Sequence, residues 1–156
     1  MQLEECTLEN TPEFILGTQI DTKVLSCYDG DTFTVAIMLA SNSYKFTCRL
    51  IGCDTPEIKV SSSKNKEERD QQKLRAIAAK KELLSYITNC NISTLNTNKE
   101  IDIDLKNNTK IIKLDLFGFD KYGRLLVNYN LGQEMLSDHM INSGFAYAYT
   151  GGKKQL

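Results

Sequence analysis

The stretch from Arg49 to Glu57 concentrates groups that could handle a phosphate ester. Asp54 offers carboxylate oxygens, and the Thr55 backbone carbonyl lies on a turn stiffened by Pro56, so both are donors that a hard cation such as Ca²⁺ accepts. Arg49 presents a planar fork of N–H donors that matches two phosphate oxygens. Glu57 lies close by without having to be a ligand. These are parts for metal-assisted phosphoryl chemistry, although an acidic surface turn with Arg49 in an ion pair would use the same residue types.

A second acidic centre lies at Asp29-Gly30-Asp31-Thr32. Taken alone, this sequence is also typical of a plain Asp-Gly turn. A cation that assists phosphoryl chemistry takes two or more carboxylate oxygens from different strands, and Asp31 together with Asp54 would provide them. The two centres therefore predict one metal site if the fold brings them together.

Length and composition bound the class of protein. With 156 residues the chain suits a single domain, and its 25% charged and 41% hydrophobic residues are ordinary for a globular protein. The formal net charge of -1 gives no global attraction to a polyanion, so any affinity for nucleic acid must come from local positive charge. The N-terminus lacks the basic and apolar regions of a signal peptide, and no apolar run approaches transmembrane length.

The five cysteines are an odd number and include no Cys-x-x-Cys pair. Reduced thiols in a reducing compartment are therefore expected rather than disulfides or a zinc site. We accordingly expect a protein that works inside the cell, with no membrane contact; secretion would require a signal absent from this sequence.

Alternating apolar residues predict a β-rich amino-terminal half. The segment from Lys23 to Leu39 indicates a hairpin of two strands about Asp29-Gly30. A third strand, from Tyr44 to Leu50, delivers Arg49 on the parity opposite to its apolar residues, so Arg49 need not be buried with the core.

Further along the chain, helical spacing predicts two helices. The first has an apolar stripe that includes Leu74, Ile77, Leu84 and Ile87. Residues 89–108 alternate only weakly and indicate an extra hairpin or long loop. Strands at 111–116 and 125–129 follow, and a short second helix runs from about residue 133 to 143.

Several short strands with one helix before the last pair and another after it fit a small Greek-key barrel. The predicted fold class is thus α+β, mainly β: a five-stranded OB-fold barrel with two helices and an inserted hairpin or loop. The predicted boundaries are a lead-in over 1–22, the barrel domain over 23–150 and a tail over 151–156.

The chain resembles the staphylococcal nuclease (thermonuclease) family from about Lys23 to Tyr149. Four matching stretches occur in the family's order, and four in register are far more specific than any one. They are Asp29-Gly30-Asp31-Thr32-Phe33, the stretch from Arg49 to Glu57, Asp120-Lys121-Tyr122-Gly123-Arg124 and Ser143-Gly144-Phe145-Ala146-Tyr147-Ala148-Tyr149.

The resemblance implies a Ca²⁺-dependent phosphodiesterase that cleaves DNA and RNA. In the family's pattern the metal ligands fall on Asp31, Asp54 and the Thr55 carbonyl, with Asp29 supporting them. The phosphate-clamping arginines fall on Arg49 and Arg124, and the glutamate often assigned as general base falls on Glu57. The remaining substrate-binding positions fall on Lys121, Tyr122, Tyr147 and Tyr149.

The resemblance also implies partners and a rival function. DNA and RNA are the expected partners, preferably single-stranded, and the protein is expected to be a monomer. The rival is a catalytically weak nuclease-like module that binds nucleic acid or protein. The founding member of the family is strongly basic and exported, and this chain departs from it in both respects.

Overall fold

The structure is a computed structural model that describes residues 2–14, 16–59, 62 and 64–149. The predicted tail over 151–156 lies outside the described residues. Among the helices of the described part, none is long and apolar enough to cross a membrane.

Five strands close into a barrel in the order β1-β2-β3-β6-β5, which confirms the predicted mainly β fold with an OB-type barrel. All neighbours in the barrel are antiparallel except β3 and β6, which run parallel. A separate two-stranded sheet pairs β4 with β7. The strands are β1 (Gln19–Cys27), β2 (Thr32–Leu39), β3 (Asn42–Leu50), β4 (Cys53–Asp54), β5 (Ile111–Phe119), β6 (Leu125–Asn128) and β7 (Tyr147–Ala148).

Alternation of side chains decides which face of each strand enters the core. In β2, Phe33, Val35 and Ile37 are almost fully buried, while the residues between them are half-buried on the outside. Each pairs across to β3 in an uninterrupted register from Thr32↔Arg49 to Leu39↔Asn42. Because the register is continuous, Arg49 is fixed opposite the first residue of β2.

The amino-terminal boundary lies earlier than the sequence indicates. Strand β1 begins at Gln19 and pairs with β5 from Gln19↔Asp115 onward, so residues 19–22 belong to the barrel rather than to the lead-in. Before it, the described residues 2–14 are all exposed and include a short 3-10 helix at Leu3–Glu5.

Three α-helices pack on the barrel: α1 (Lys66–Ile87), α2 (Asn98–Leu105) and α3 (Leu136–Asn142). Helix α1 begins where the Asn65 side chain accepts a hydrogen bond from Glu68 N at 2.8 Å. Its buried face is turned from the predicted stripe, since Leu74 is 70% exposed whereas Lys80 is 1% exposed. The face that the first turns of α1 bury includes the polar Gln72, which is 2% exposed, and Leu74 lies outside it.

The inserted segment is a helix, and the predicted hairpin or loop is wrong in this respect. Thr97 Oγ1 accepts from Glu100 N at 3.1 Å, and the Glu100 carboxylate accepts from Asn96 N at 2.9 Å. This reciprocal pattern resembles a capping box, and Thr-x-x-Glu was its sequence signal. Ile101 and Leu105, four residues apart, then bury one face of α2.

The buried ammonium group of Lys80, on α1, binds two side chains of α2. Lys80 Nζ lies 3.0 Å from Asp102 Oδ1 and donates to Asn98 Oδ1 at 2.5 Å. Burying a lysine is tolerated only when its charge is paired and hydrogen-bonded. The interaction therefore explains both the buried charge on α1 and the position of the insertion.

His139 on α3 contacts α1 and should make the stability of the folded protein depend on pH. Its Nε2 lies 2.9 Å from Glu82 Oε1 and its Nδ1 lies 3.0 Å from Glu134 Oε1. The hydrogen bond with Glu82, helped by Glu134, raises the pKa of His139 against the opposing effect of desolvation. Protonated His139 therefore stabilises the folded state. This contribution to the free energy of unfolding is fully present below the pKa of histidine in the unfolded chain, about 6.5, and is lost as pH rises through the raised pKa of the folded state.

We expect His139→Gln to lower the melting temperature most at about pH 6, with the difference from wild type shrinking toward about pH 9. Thermal unfolding of both proteins across this range measures it. A difference that grows with pH would contradict the assigned ion pairs.

Candidate active site

Strand ends and their connections bring the candidate residues to one cavity of about 710 Å³. The β1–β2 connection, the end of β3 with the following turn, and the β5–β6 connection each form part of its wall. Of the predicted site residues, the cavity wall includes Asp31, Arg49, Asp54, Glu57, Lys121, Tyr122, Arg124 and Tyr149. Thr55 and Tyr147 are not among the lining residues.

Arg49 is the centre of the site and is buried, with 8% of its surface exposed. Its Nη1 donates to Leu50 O at 2.9 Å and to Cys53 O at 2.8 Å and lies 3.3 Å from Asp31 Oδ2, while Nη2 pairs with the Asp54 carboxylate. The sequence placed Arg49 outside the apolar core, and its contacts are indeed polar, but they lie inside the protein. Carbonyl groups and two carboxylates replace the water that an exposed arginine would have.

Asp31 links the first acidic centre to the second. Its Oδ2 accepts hydrogen bonds from Thr55 N at 2.9 Å and from Thr55 Oγ1 at 3.1 Å, and its Oδ1 accepts from Thr32 Oγ1 at 2.8 Å. The Asp31 carbonyl also accepts from Leu50 N at 2.8 Å. The two centres predicted from sequence are therefore joined through contacts of Asp31 with Thr55 and Arg49.

The donor chemistry of this corner fits a Ca²⁺ ion. The side chains of Asp31 and Asp54 are 2% and 5% exposed, and both carboxylates contact the same guanidinium group of Arg49. They are hard oxygen donors at the wall of a cavity large enough for water and substrate oxygens to complete a shell of six to eight ligands. In the described part of the chain no three His, Cys, Asp or Glu residues group closely enough to hold a metal by themselves. An ion here would thus depend on non-carboxylate oxygens as well.

Glu57 lies at the cavity wall and is half-buried, as expected for a partly solvated turn. Its backbone carbonyl accepts a hydrogen bond from Gln72 Nε2 at 3.0 Å, and Gln72 is 2% exposed on α1. Lys64 Nζ donates to Gln72 Oε1 at 2.5 Å and holds that amide in turn. Helix α1 therefore fixes the turn that presents the Glu57 carboxylate.

Arg124 is held by Asp120 at the β5–β6 connection. Asp120 Oδ2 accepts from Arg124 Nε at 2.7 Å, while Oδ1 accepts from Arg124 N at 2.8 Å and from Tyr122 N at 2.9 Å. Desolvation alone would raise the pKa of Asp120, but these hydrogen bonds and the positive charge of Arg124 hold it below its ordinary value. The carboxylate stays ionised and holds the guanidinium by its Nε, and Arg124 lines the cavity.

The three tyrosines predicted to bind substrate differ in their position relative to the cavity. Tyr149 lines it and lies under the Arg49 guanidinium at 5.5 Å, and Tyr122, 72% exposed, lies within 5.1 Å of Lys121 Nζ and 5.6 Å of the Arg124 guanidinium. Tyr147 is positioned by the pairing of β7 with β4, opposite Asp54, and its side chain is 38% exposed.

Sequence reasoning missed three residues of the site. Asp120 was part of a matching stretch, but its role in holding Arg124 was not predicted. Gln72 had no signal, because a lone glutamine in a polar run resembles a solvated helix face. Tyr28 lines the cavity with 53% of its surface exposed, and its position next to Asp29 was the available signal.

Gly30 serves close packing rather than a left-handed turn. Its φ angle lies outside the left-handed region, but a Cβ atom at this position would lie 2.8 Å from Ala79 Cβ and 2.8 Å from Thr55 Cγ2. The hairpin predicted about Asp29-Gly30 is confirmed, and the missing side chain of Gly30 also lets the β1–β2 connection lie against α1.

We expect Gly30→Ala to destabilise the protein by about 1–3 kcal/mol, as overpacking does, and to displace Asp29 and Asp31, which would abolish the phosphodiesterase activity that the family resemblance predicts. Thermal unfolding and a cleavage assay measure the two effects. Gly144→Ala is a control for backbone strain without crowding, because Gly144 has a φ of +82°, an added Cβ atom would meet nothing within 4 Å, and the residue is not among those that line the cavity. Equal activity in both variants would show that the close contact is unimportant for the site.

The barrel and the polar cavity at its strand ends define a nuclease-type OB-fold domain. The sequence model of the family described as staphylococcal nuclease homologue matches residues 47–155, and the chain belongs to this family. No curated protein matches the chain. The matched range covers Arg49 through the carboxy-terminal tyrosines, and Asp31, from outside it, contacts Arg49 and Thr55.

Proposed function

We propose that this protein is a Ca²⁺-dependent phosphodiesterase that hydrolyses DNA and RNA by in-line attack of water. The observation that carries the proposal is the composition of one cavity: its wall includes two guanidinium groups, two buried carboxylates that contact one of them, and a half-buried glutamate. These groups match the needs of phosphoryl transfer, in which positioning and charge stabilisation supply most of the rate.

Asp31, Asp54 and the Thr55 carbonyl would hold the ion. When bound, Ca²⁺ would supply a Lewis acid for a phosphate oxygen. The hydrogen bonds from Thr55 to Asp31 keep that carboxylate in place whether or not substrate is present.

Arg49 and Arg124 would stabilise the charge that grows on the non-bridging phosphate oxygens. Arg49 is preorganised by the Leu50 and Cys53 carbonyls, and Arg124 by Asp120. Donors that are fixed before the reaction do not have to reorganise during it, which makes them effective catalysts. Glu57 would orient and deprotonate the attacking water, since its turn is anchored by Gln72 and the residue lies at the cavity wall.

Exposed aromatic rings favour single-stranded substrates, whose unpaired bases are free to stack. Lys121 and Tyr122 would bind the phosphate end of the substrate, while Tyr147 and Tyr149 would contact the nucleotide. We further propose that the protein acts as a monomer inside the cell, since an odd number of cysteines without a Cys-x-x-Cys pair is typical of a reducing compartment.

A binding module without catalysis is the second candidate. Two observations favour it: Arg49 and Arg124 already form ion pairs within the protein, and the net charge is -1. Either would weaken binding of a substrate phosphate. The two candidates separate cleanly in a cleavage assay.

We expect cleavage of single-stranded DNA and RNA to require Ca²⁺ and to be poorly supported by Mg²⁺, because Mg²⁺ demands near-ideal octahedral geometry that two carboxylates and a carbonyl on separate turns do not impose. The measurement is the cleavage rate with Ca²⁺, with Mg²⁺ and with chelator. Asp31→Asn and Asp54→Asn should each raise the Ca²⁺ concentration needed for half-maximal cleavage, and Asp21→Asn, whose side chain is 66% exposed beside Lys113, is the matched control. Full activity in chelator would refute the metal requirement.

A further inference from the structure

A second cavity, of about 610 Å³, lies beside the active-site cavity on the outside of the barrel. The two cavities share Tyr28 and Thr32 as lining residues and are therefore neighbours on the protein surface. The second cavity is completed by α2, the helix that forms the inserted segment.

The barrel register shows how the second cavity continues from the Arg49 guanidinium. Thr32 pairs with Arg49, and the next outward-facing residue of β2, Thr34, pairs with Thr47 on one side and Ser26 on the other. Hydroxyl groups therefore form a polar track from Arg49 across β3, β2 and β1. In OB folds this outer face of the second and third strands is a common surface for oligonucleotides.

Tyr28 stands at the junction of the two cavities. Its side chain is 53% exposed, although it follows directly on the buried Cys27 at the end of β1. An exposed ring between two cavities is a platform for a nucleic-acid base, because every base has a flat face that can stack on it.

Helix α2 supplies the charge of the second cavity. Asp102 lies in its wall, but the Asp102 carboxylate is 3.0 Å from the buried Lys80 ammonium group, which offsets its repulsion of a phosphate. Lys106, at the end of α2, is exposed and lines the same wall. It offers a positive charge at the far side of the cavity from Arg49.

We propose that the second cavity is a subsite for a further nucleotide of a single-stranded DNA or RNA substrate, with a base stacked on Tyr28 and a backbone phosphate paired with Lys106. The subsite rests on the proposed nuclease function, because it extends the same substrate path. It would make the protein favour strands of several nucleotides over a single nucleotide.

The test compares kcat/KM for a long and a short substrate. The long one is a single-stranded oligothymidylate of about eight nucleotides, and the short one is the p-nitrophenyl ester of thymidine 5′-phosphate. Tyr28→Ala and Lys106→Ala should each lower the ratio of long to short at least about fivefold, the lower end of a lost stacking contact. Tyr44→Ala, which removes a tyrosine 50% exposed outside both cavities, and Lys99→Ala, from the first turn of α2, should keep the wild-type ratio.

The salt dependence of oligothymidylate binding separates the two roles. The slope of log affinity against log salt is negative, and it should become shallower by about 0.7 in Lys106→Ala, the value for one phosphate of a single strand. In Tyr28→Ala the slope should stay unchanged. Fluorescence anisotropy of the labelled strand in Ca²⁺ measures this slope when each protein also carries Glu57→Gln, which should keep the strand intact.

The outcomes distinguish the subsite from the nuclease activity. Cleavage with wild-type ratios in both variants, or equal losses on long and short substrates, would overturn the subsite and leave the activity standing. If the wild-type protein cleaves nothing but both variants bind the long strand more weakly than it does, the subsite is supported and the proposed catalysis is overturned. A protein that neither binds nor cleaves the strand would overturn both.

Discussion

Glu57→Gln should lower kcat by about 10²–10⁴ while nucleotide affinity changes little. The substitution keeps the size of the side chain and much of its hydrogen bonding but removes the basic oxygen that would take a proton from water. The turn itself should stay in place, because Gln72 binds the backbone carbonyl of residue 57 rather than its side chain. We expect stability to change by no more than about 0.5 kcal/mol, as for a half-buried position away from caps and core.

Steady-state kinetics, calorimetric binding and thermal unfolding of the Glu57 variant separate three roles. Lost rate with retained binding indicates a general base. Absence of any Ca²⁺-dependent rate, in wild type as well, indicates a binding module. A lowered melting temperature with intact activity per folded molecule would make Glu57 structural and remove its catalytic assignment. Glu9→Gln, in the exposed amino-terminal segment, is the matched control.

Arg49→Lys and Arg124→Lys should each slow turnover by about 10² or more, because lysine keeps the charge but loses the planar fork. Cleavage kinetics under saturating Ca²⁺ measure the loss. Near-wild-type rates in both variants would show that the arginines serve the fold rather than the reaction.

The two arginine variants should differ in stability. The buried Arg49 donates to the Leu50 and Cys53 carbonyls, and a lysine cannot satisfy both along with two carboxylates, so we expect a loss of about 1–3 kcal/mol. The Arg124 side chain is 33% exposed, and its partner Asp120 also accepts hydrogen bonds from two backbone N–H groups. Arg124→Lys should therefore lower the free energy of unfolding by no more than about 1 kcal/mol. Chemical denaturation of both variants measures the difference.

Helix α2 shows why one part of the fold was mispredicted. Its apolar residues Ile101, Ile103 and Leu105 alternate like a strand, yet Ile101 and Leu105 are buried and Ile103 is 55% exposed, which is the spacing of a helix. A run of three alternating residues fits both periods, so only the cap at Thr97 and the docking to Lys80 decide between them. Burial of Lys80 was likewise unpredictable, because its partners on α2 lie far along the chain.

The sequence by itself determined the barrel, because alternation in β2 and β3 and the turns between strands are local properties. It also determined which residue types could handle a phosphate, since Asp31, Arg49 and Glu57 lie in short, specific stretches. Tertiary structure alone decided that Arg49 is buried against Asp31 and Asp54, that Gln72 anchors the Glu57 turn, and that Tyr28 joins two cavities. Those contacts join residues from separate strands and helices, and their distances depend on how the closed barrel packs against its helices rather than on any local pattern.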